Sequence, residues 1–195
     1  MAIIAILAAI AVPNLLEAQV RAKVARVRND LRILAMALDA YMVDHNTYPF
    51  PCSTADNPYH RMLAYSMLST PVAYLTSGVL RDPFAAQRAV SGTMDRDNAA
   101  YEMAFANPGG RAGDLDAWWL MGRWTRRVMF LLHSLGPDCN NDTALRHFGG
   151  LDAAGQPYAP ARIYDPTNGT ISIGDIYRVQ APLVFMRYYE IQGSR

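Results

Sequence analysis

Asp138, Asn140 and Asp142 put oxygen-bearing side chains at alternate positions of a short loop, a spacing with which a loop can wrap a calcium ion. The stretch is not an EF-hand. Counting from Asp138, position six is Thr143 where glycine is required, and position twelve is Gly149 where a bidentate glutamate is required. The same side chains also suit a second role, capping turns by bonding their own backbone.

The other reactive side chains are few. Cys52 and Cys139 are the whole thiol inventory. Outside the cytoplasm they can oxidise, and a bridge closing so long a segment is worth about 4 to 5 kcal/mol through chain entropy. Two unrelated thiols is the other reading, because separation in sequence gives no distance. His45, His60, His133 and His147 show neither His-Glu-x-x-His nor paired Cys-x-x-Cys spacing, so these motifs indicate no zinc site. Ser134 follows His133 in Leu-His-Ser-Leu-Gly, not in the Gly-x-Ser-x-Gly turn of a hydrolase nucleophile. On a strand the two would point to opposite faces. The run Asn107 to Gly113 lacks the Gly-Lys-Ser/Thr ending of a phosphate-binding loop. Trp118, Trp119 and Trp124 could stack a ligand, though burial or a subunit contact is the commoner use. No catalytic constellation emerges, and the chain reads as a non-enzyme. With 18% charged residues and a net charge of +1, it carries no nucleic-acid footprint.

A scaffold must hold these loops, and it begins at residue 1. Met1 to Leu16 is an uncharged apolar run containing Pro13, and it passes directly into a charged segment. From Glu17 onward Val20, Val24, Val27, Leu31, Leu34, Leu38 and Tyr41 recur at alternating steps of three and four, one face of a helix. Arg21, Lys23, Arg26, Arg28, Asp30, Arg32, Asp39 and Asp44 fall between them and are expected to stay solvated. Alanines at 18, 22, 25, 35, 37 and 40 favour helix, and Thr47 to Pro51 ends it. The spine is then about 45 residues and roughly 65 Å long, too long for a domain of this size to cover.

Met1 to Val12 alone spans roughly 18 Å of helix against about 30 Å of hydrocarbon, so about eight more apolar residues are expected upstream. A secretory signal peptide would need a basic n-region and a cleavage boundary. Beyond Pro51, His60 to Leu68 reads as a short helix stopped by Thr70-Pro71. Strand candidates are 100–106, 127–134, 171–179 and 183–191, rich in β-branched and aromatic residues. The expected fold is α+β, with a long N-terminal helix packed on a small antiparallel sheet.

These residues carry a family resemblance. Ala2 to Asn14, Leu16 to Gln19, Arg26 to Tyr41 and Asn46 to Pro49 together look like the N-terminal region of type IV pilin-like proteins, closest to the major pseudopilins of type II secretion systems. Asp82-Pro83-Phe84 resembles their Asp-Pro-aromatic turn. Ser134 to Asp138 and Asn168 to Ile176 resemble their C-terminal loop and its closing segment. The chain departs from the pattern at its start, where the family has a basic leader, a mature phenylalanine and a glutamate that sets register in the filament. Prepilin-type processing and N-terminal methylation therefore fall on no residue present. A late start at Met1 is the simplest expectation, checked by reading the upstream DNA in frame.

The resemblance implies a pilin-like division: 1–16 as the membrane or filament-core helix, incomplete at its start; 17–48 as its amphipathic half; and 49–195 as the globular region. Ile3, Ile6, Leu7, Ile10, Pro13 and Leu16 would line the membrane or filament contact. Calcium is the implied cofactor, with Asp138 and Asp175 as side-chain ligands, Leu135 offering a carbonyl, and Asn140 or Asp142 completing the shell. The implied function is a structural subunit of a type II secretion pseudopilus, with a type IV pilus subunit or a membrane-anchored calcium-dependent binding module as alternatives. Implied partners are copies of the chain, minor pseudopilins, inner-membrane assembly components and the lipid bilayer. The implied location is a single pass through the inner membrane with the globular part periplasmic. Counting Arg21, Lys23, Arg26, Arg28 and Arg32 alone, the positive-inside rule would put that segment in the cytoplasm.

Overall fold

The computed structural model describes residues 2–49, 58–76, 78–85, 99–106, 129–140, 162–167 and 172–180. The three-four spacing of apolar residues produces one continuous helix, α1 (Ala2–His45), with Pro13 inside it. Its heptad-like face is dry: Val24, Val27, Leu31, Leu34, Leu38 and Tyr41 are all buried. Asn46 ends the helix in the left-handed conformation (φ 53°), its N–H donating to the Met42 carbonyl at 2.9 Å. Asparagine tolerates that conformation better than most residues, which makes it a natural stop.

A second helix, α2 (Pro58–Ser69), buries Ala64, Tyr65 and Leu68 in the same core. After its end the chain folds back, with the Tyr74 and Leu75 amides both donating to the Leu68 carbonyl, and the Thr70-Pro71 peptide bond is cis. Among the described residues three antiparallel strands follow, β1 (Glu102–Ala106), β2 (Met129–Ser134) and β3 (Ile176–Gln180), in the spatial order β1-β2-β3. The sequence candidates at 100–106 and 127–134 contain β1 and β2, and the candidate at 171–179 overlaps β3, starting five residues early and ending one short. The candidate at 183–191 lies outside the described residues.

Alternation along the strands divides the sheet into two faces. Tyr101, Met103, Phe105, Phe130, Leu132 and Ile176 join the core that includes the helix face. Tyr48, just beyond α1, packs its ring on Phe105 and edge-on to Phe130, at 5.6 and 5.7 Å between centroids. Burial holds its phenol pKa up at about 12, with the charge of Asp39 adding to the effect. The opposite face carries Glu102, His133 and Tyr177, which stand directly across from one another in the register. His133 Nε2 lies 3.0 Å from Glu102 Oε2, and the His133 ring stacks on Tyr177.

One residue of the charged stripe is not solvated as its spacing suggests. Asp30 is only 8% exposed, because Tyr101 at the entrance to β1 donates its hydroxyl to Asp30 Oδ2 at 2.9 Å. Arg26 Nε stands 3.5 Å from the same oxygen, so the carboxylate keeps both a donor and a counter-charge. Burial, followed by the bond to Asp30, holds the Tyr101 phenol well above its ordinary pKa, so it remains a donor at any working pH. This bond joins helix to sheet across 71 residues. Replacing Tyr101 by Phe keeps the ring but removes the donor; the folded domain should lose about 1.5–3 kcal/mol, read as a lower denaturation midpoint with an unchanged slope.

Candidate functional site

Two regions contain the residues singled out from the sequence. The first is the front of α1. Ile3, Ile6, Leu7, Ile10, Pro13 and Leu16 are all exposed, with Ile3 at 75% and Leu16 at 55%. Val27, Leu34 and Leu38 on the same helix are at 0%. The stretch is helical throughout, so nearly all of its backbone groups are paired within the helical hydrogen-bond ladder. Pro13 removes one N–H from that ladder and loosens one turn. By length and composition the helix is able to cross a membrane, a test that a signal sequence also passes. Among the described residues, none of its apolar window is buried.

The second region is where three loops meet at the end of β2. Asp82 is buried, and its two carboxylate oxygens serve different loops. Oδ1 accepts from the Phe84 amide at 2.9 Å, turning the Asp-Pro-Phe segment, and Oδ2 accepts from the Leu135 amide at 3.2 Å. Burial raises the Asp82 pKa, while the surrounding donors, including Ser134, pull in the other direction. Lys23 from α1 lies over the Phe84 ring, 5.9 Å from its centroid, so the helix also reaches this junction.

Asp138 bridges in the same way. Its Oδ1 accepts from the Asn140 amide at 3.2 Å, the turn-capping role, and its Oδ2 accepts from the Gly174 amide at 3.1 Å, on the segment leading into β3. Gly174 directly precedes Asp175, so two of the expected calcium ligands are brought to neighbouring positions. Asp175 is fully buried, and its Oδ2 accepts the Tyr177 hydroxyl at 2.6 Å. The Asp175 amide donates to Arg162 and its carbonyl accepts from Tyr164, a parallel bridge that adds a further loop. Leu135 is buried and Asn140 exposed on the shared turn. Asp142 lies outside the described residues.

Asp165 turns the 162–167 segment by accepting from the amide and hydroxyl of Thr167, bonds that lower its pKa. Cys139 is half-buried beside Asp138. Burial, then the charges of Asp138 and Asp82, push its thiol pKa up. Cys52 and Trp118, Trp119 and Trp124 lie outside the described residues. Among the described residues, no three His, Cys, Asp or Glu side chains converge on one point.

Sequence reasoning missed two glycines that make the junction closable. Gly136 has φ +70°, and a Cβ there would stand 2.3 Å from the Gly174 carbonyl oxygen. Gly174 has φ +122°, and its Cβ would meet the Arg162 backbone at 2.8 Å. Backbone touches backbone at both places, which only a residue without a side chain permits. The signal was present, since glycines sit in both loop motifs, but only the third dimension shows that they face each other. No family model, curated protein or solved structure matches this chain.

Gly136→Ala should destabilise the folded domain by at least about 1–3 kcal/mol, the usual cost of forcing a side chain into that backbone region, with the close contact adding to it. A thermal melt of the variant beside the unaltered chain measures it; an unchanged midpoint would mean that the two loops do not meet as described.

Proposed function

We propose that this chain is a filament-forming structural subunit of the pseudopilin kind, serving type II protein secretion. It is held in the inner membrane before assembly, with its globular part on the periplasmic side. The observation that carries this is the division of α1: one continuous helix whose rear face is buried in its own domain and whose front, apolar but for Asn14, is exposed among the described residues. An exposed apolar rod needs an apolar environment, and lipid supplies it first. Packing against the same rods of other copies supplies it next. Transfer between the two leaves hydrophobic burial nearly constant, so a subunit can move from membrane to filament without exposing the rod to water. Pro13 frees a carbonyl within the rod and lets its turns adjust to either setting.

Calcium at the loop junction belongs to the same proposal. The donors there are oxygens, which suit a hard cation. Asp138 and Asp175 would hold it through carboxylates and Leu135 through its carbonyl, with Asn140 or Asp142 completing the shell. The ion would supply charge neutralisation and a further tie between the loops that Asp138 already bridges. Excess calcium should then raise the unfolding temperature of the purified chain relative to chelator, by about 2.7 kcal/mol of added stability at a hundred times its dissociation constant. Identical melts would remove calcium from the proposal and leave the filament intact.

Charge in the rod tests the filament itself. Ile10→Asp places a carboxylate where insertion scales charge about 2.5–3.5 kcal/mol. Expressed with the secretion assembly components, the unaltered chain should form filaments visible by electron microscopy and sediment with membranes before assembly. The variant should do neither, although its globular part melts normally. Filaments from the variant, or none from the unaltered chain, would contradict the proposal.

A further inference from the structure

At the far end of α1 a different set of donors converges. The Tyr74 hydroxyl donates to Asp44 Oδ2 at 2.7 Å and lies 3.4 Å from His45 Nε2. Donors bound at about 2.0–2.2 Å to one tetrahedral or octahedral ion stand roughly 2.8–3.6 Å apart. The longer distance falls within that range, and the shorter is a hydrogen bond that an ion would replace.

The imidazole is positioned by its neighbours. The His45 ring stacks on Tyr41, 4.2 Å between centroids with 29° between planes, and Tyr74 meets both rings edge-on at 5.5 and 6.4 Å. Stacking occupies the face of the imidazole and leaves its in-plane nitrogen lone pair for a ligand. Asp44 and His45 are exposed, so water can complete a coordination shell. The helix also ends here, and the carbonyls of its last turn present the negative end of the helix dipole, which favours a cation.

We propose that Asp44, His45 and Tyr74 form a surface site for a borderline divalent metal ion, of which zinc is the representative, tying the end of α1 to the loop after α2. The imidazole nitrogen is a donor that suits zinc and copper and not calcium, and the carboxylate beside it serves zinc as well. This distinguishes the site from the all-oxygen loop junction, about which it assumes nothing. Zinc motifs in the sequence do not register it, because two ligands are adjacent on a helix end and the third is a tyrosine 29 residues later.

The test is a calorimetric titration of the full chain in detergent with zinc chloride, repeated on His45→Gln, Asp44→Asn and Tyr74→Phe. All three variants keep a side chain of similar shape, and a thermal melt without metal checks that each is folded. The unaltered chain should bind one equivalent and unfold at higher temperature when loaded. His45→Gln and Asp44→Asn should bind at least about tenfold more weakly, a scale on which even outer-shell partners act. Tyr74→Phe should also weaken binding. An absence of saturable binding, or His45→Gln binding like the unaltered chain, would overturn the site; unchanged affinity in Tyr74→Phe would overturn it as a three-donor site. Neither result touches filament formation, which is read separately.

Discussion

Helix α1 is far longer than any other described element that packs on it. Its 44 residues extend about 66 Å, whereas strands of five or six residues extend no more than about 20 Å. The sheet therefore covers a few turns of the helix and no more, and α2 adds to the same end. From this mismatch the rest of the architecture follows. The rear of the helix becomes the central element of a domain core, and the front becomes an apolar rod with no partner among the described residues. Every element that holds the rear in place also determines where the rod emerges.

Two buried carboxylates set that placement, and both are costly to keep. Asp30 fixes the helix against the sheet through Tyr101, and Asp82 fixes the Asp-Pro-Phe turn to the end of β2. Burial penalises the charged form of Asp82 and hydrogen bonds from backbone amides offset part of that penalty, while Asp30 is held by a phenol hydroxyl and the Arg26 guanidinium. An apolar contact at either point would permit sliding, because hydrophobic attraction has no direction, whereas a buried acceptor with one donor does not. The specificity of the helix-on-sheet register is therefore a consequence of polar pins within an apolar interface. Asp138 repeats the device nearer the surface, where its two oxygens join the 135–140 turn to the approach of β3.

How much of this was legible before the structure depended on the range over which each feature acts. The helix was legible almost to the residue, because Val20 to Tyr41 mark its dry face by local spacing and Thr47 to Pro51 cannot continue it. The α+β class was legible too, from strand candidates bounded by turn residues. Asp30 was not, since its position on the helix reads as solvated and its partner lies 71 residues away. The meeting of Gly136 with Gly174 was hidden for the same reason: each glycine marks a turn locally, but their mutual contact is a property of the sheet order. The Asp44, His45 and Tyr74 cluster has no linear pattern at all, and it exists because the chain after α2 folds back toward the end of α1.

The central claim is that α1 has two environments along one continuous rod. Site-directed spin labelling of the chain in lipid bilayers tests it most directly, with labels placed singly at Ile10 and at Met36 after replacement of the two native cysteines. The account predicts that a label at Ile10 is relaxed by oxygen and shielded from a water-soluble nickel chelate, while one at Met36, exposed on the domain portion, shows the reverse. Equal access of the nickel chelate to both positions would contradict it.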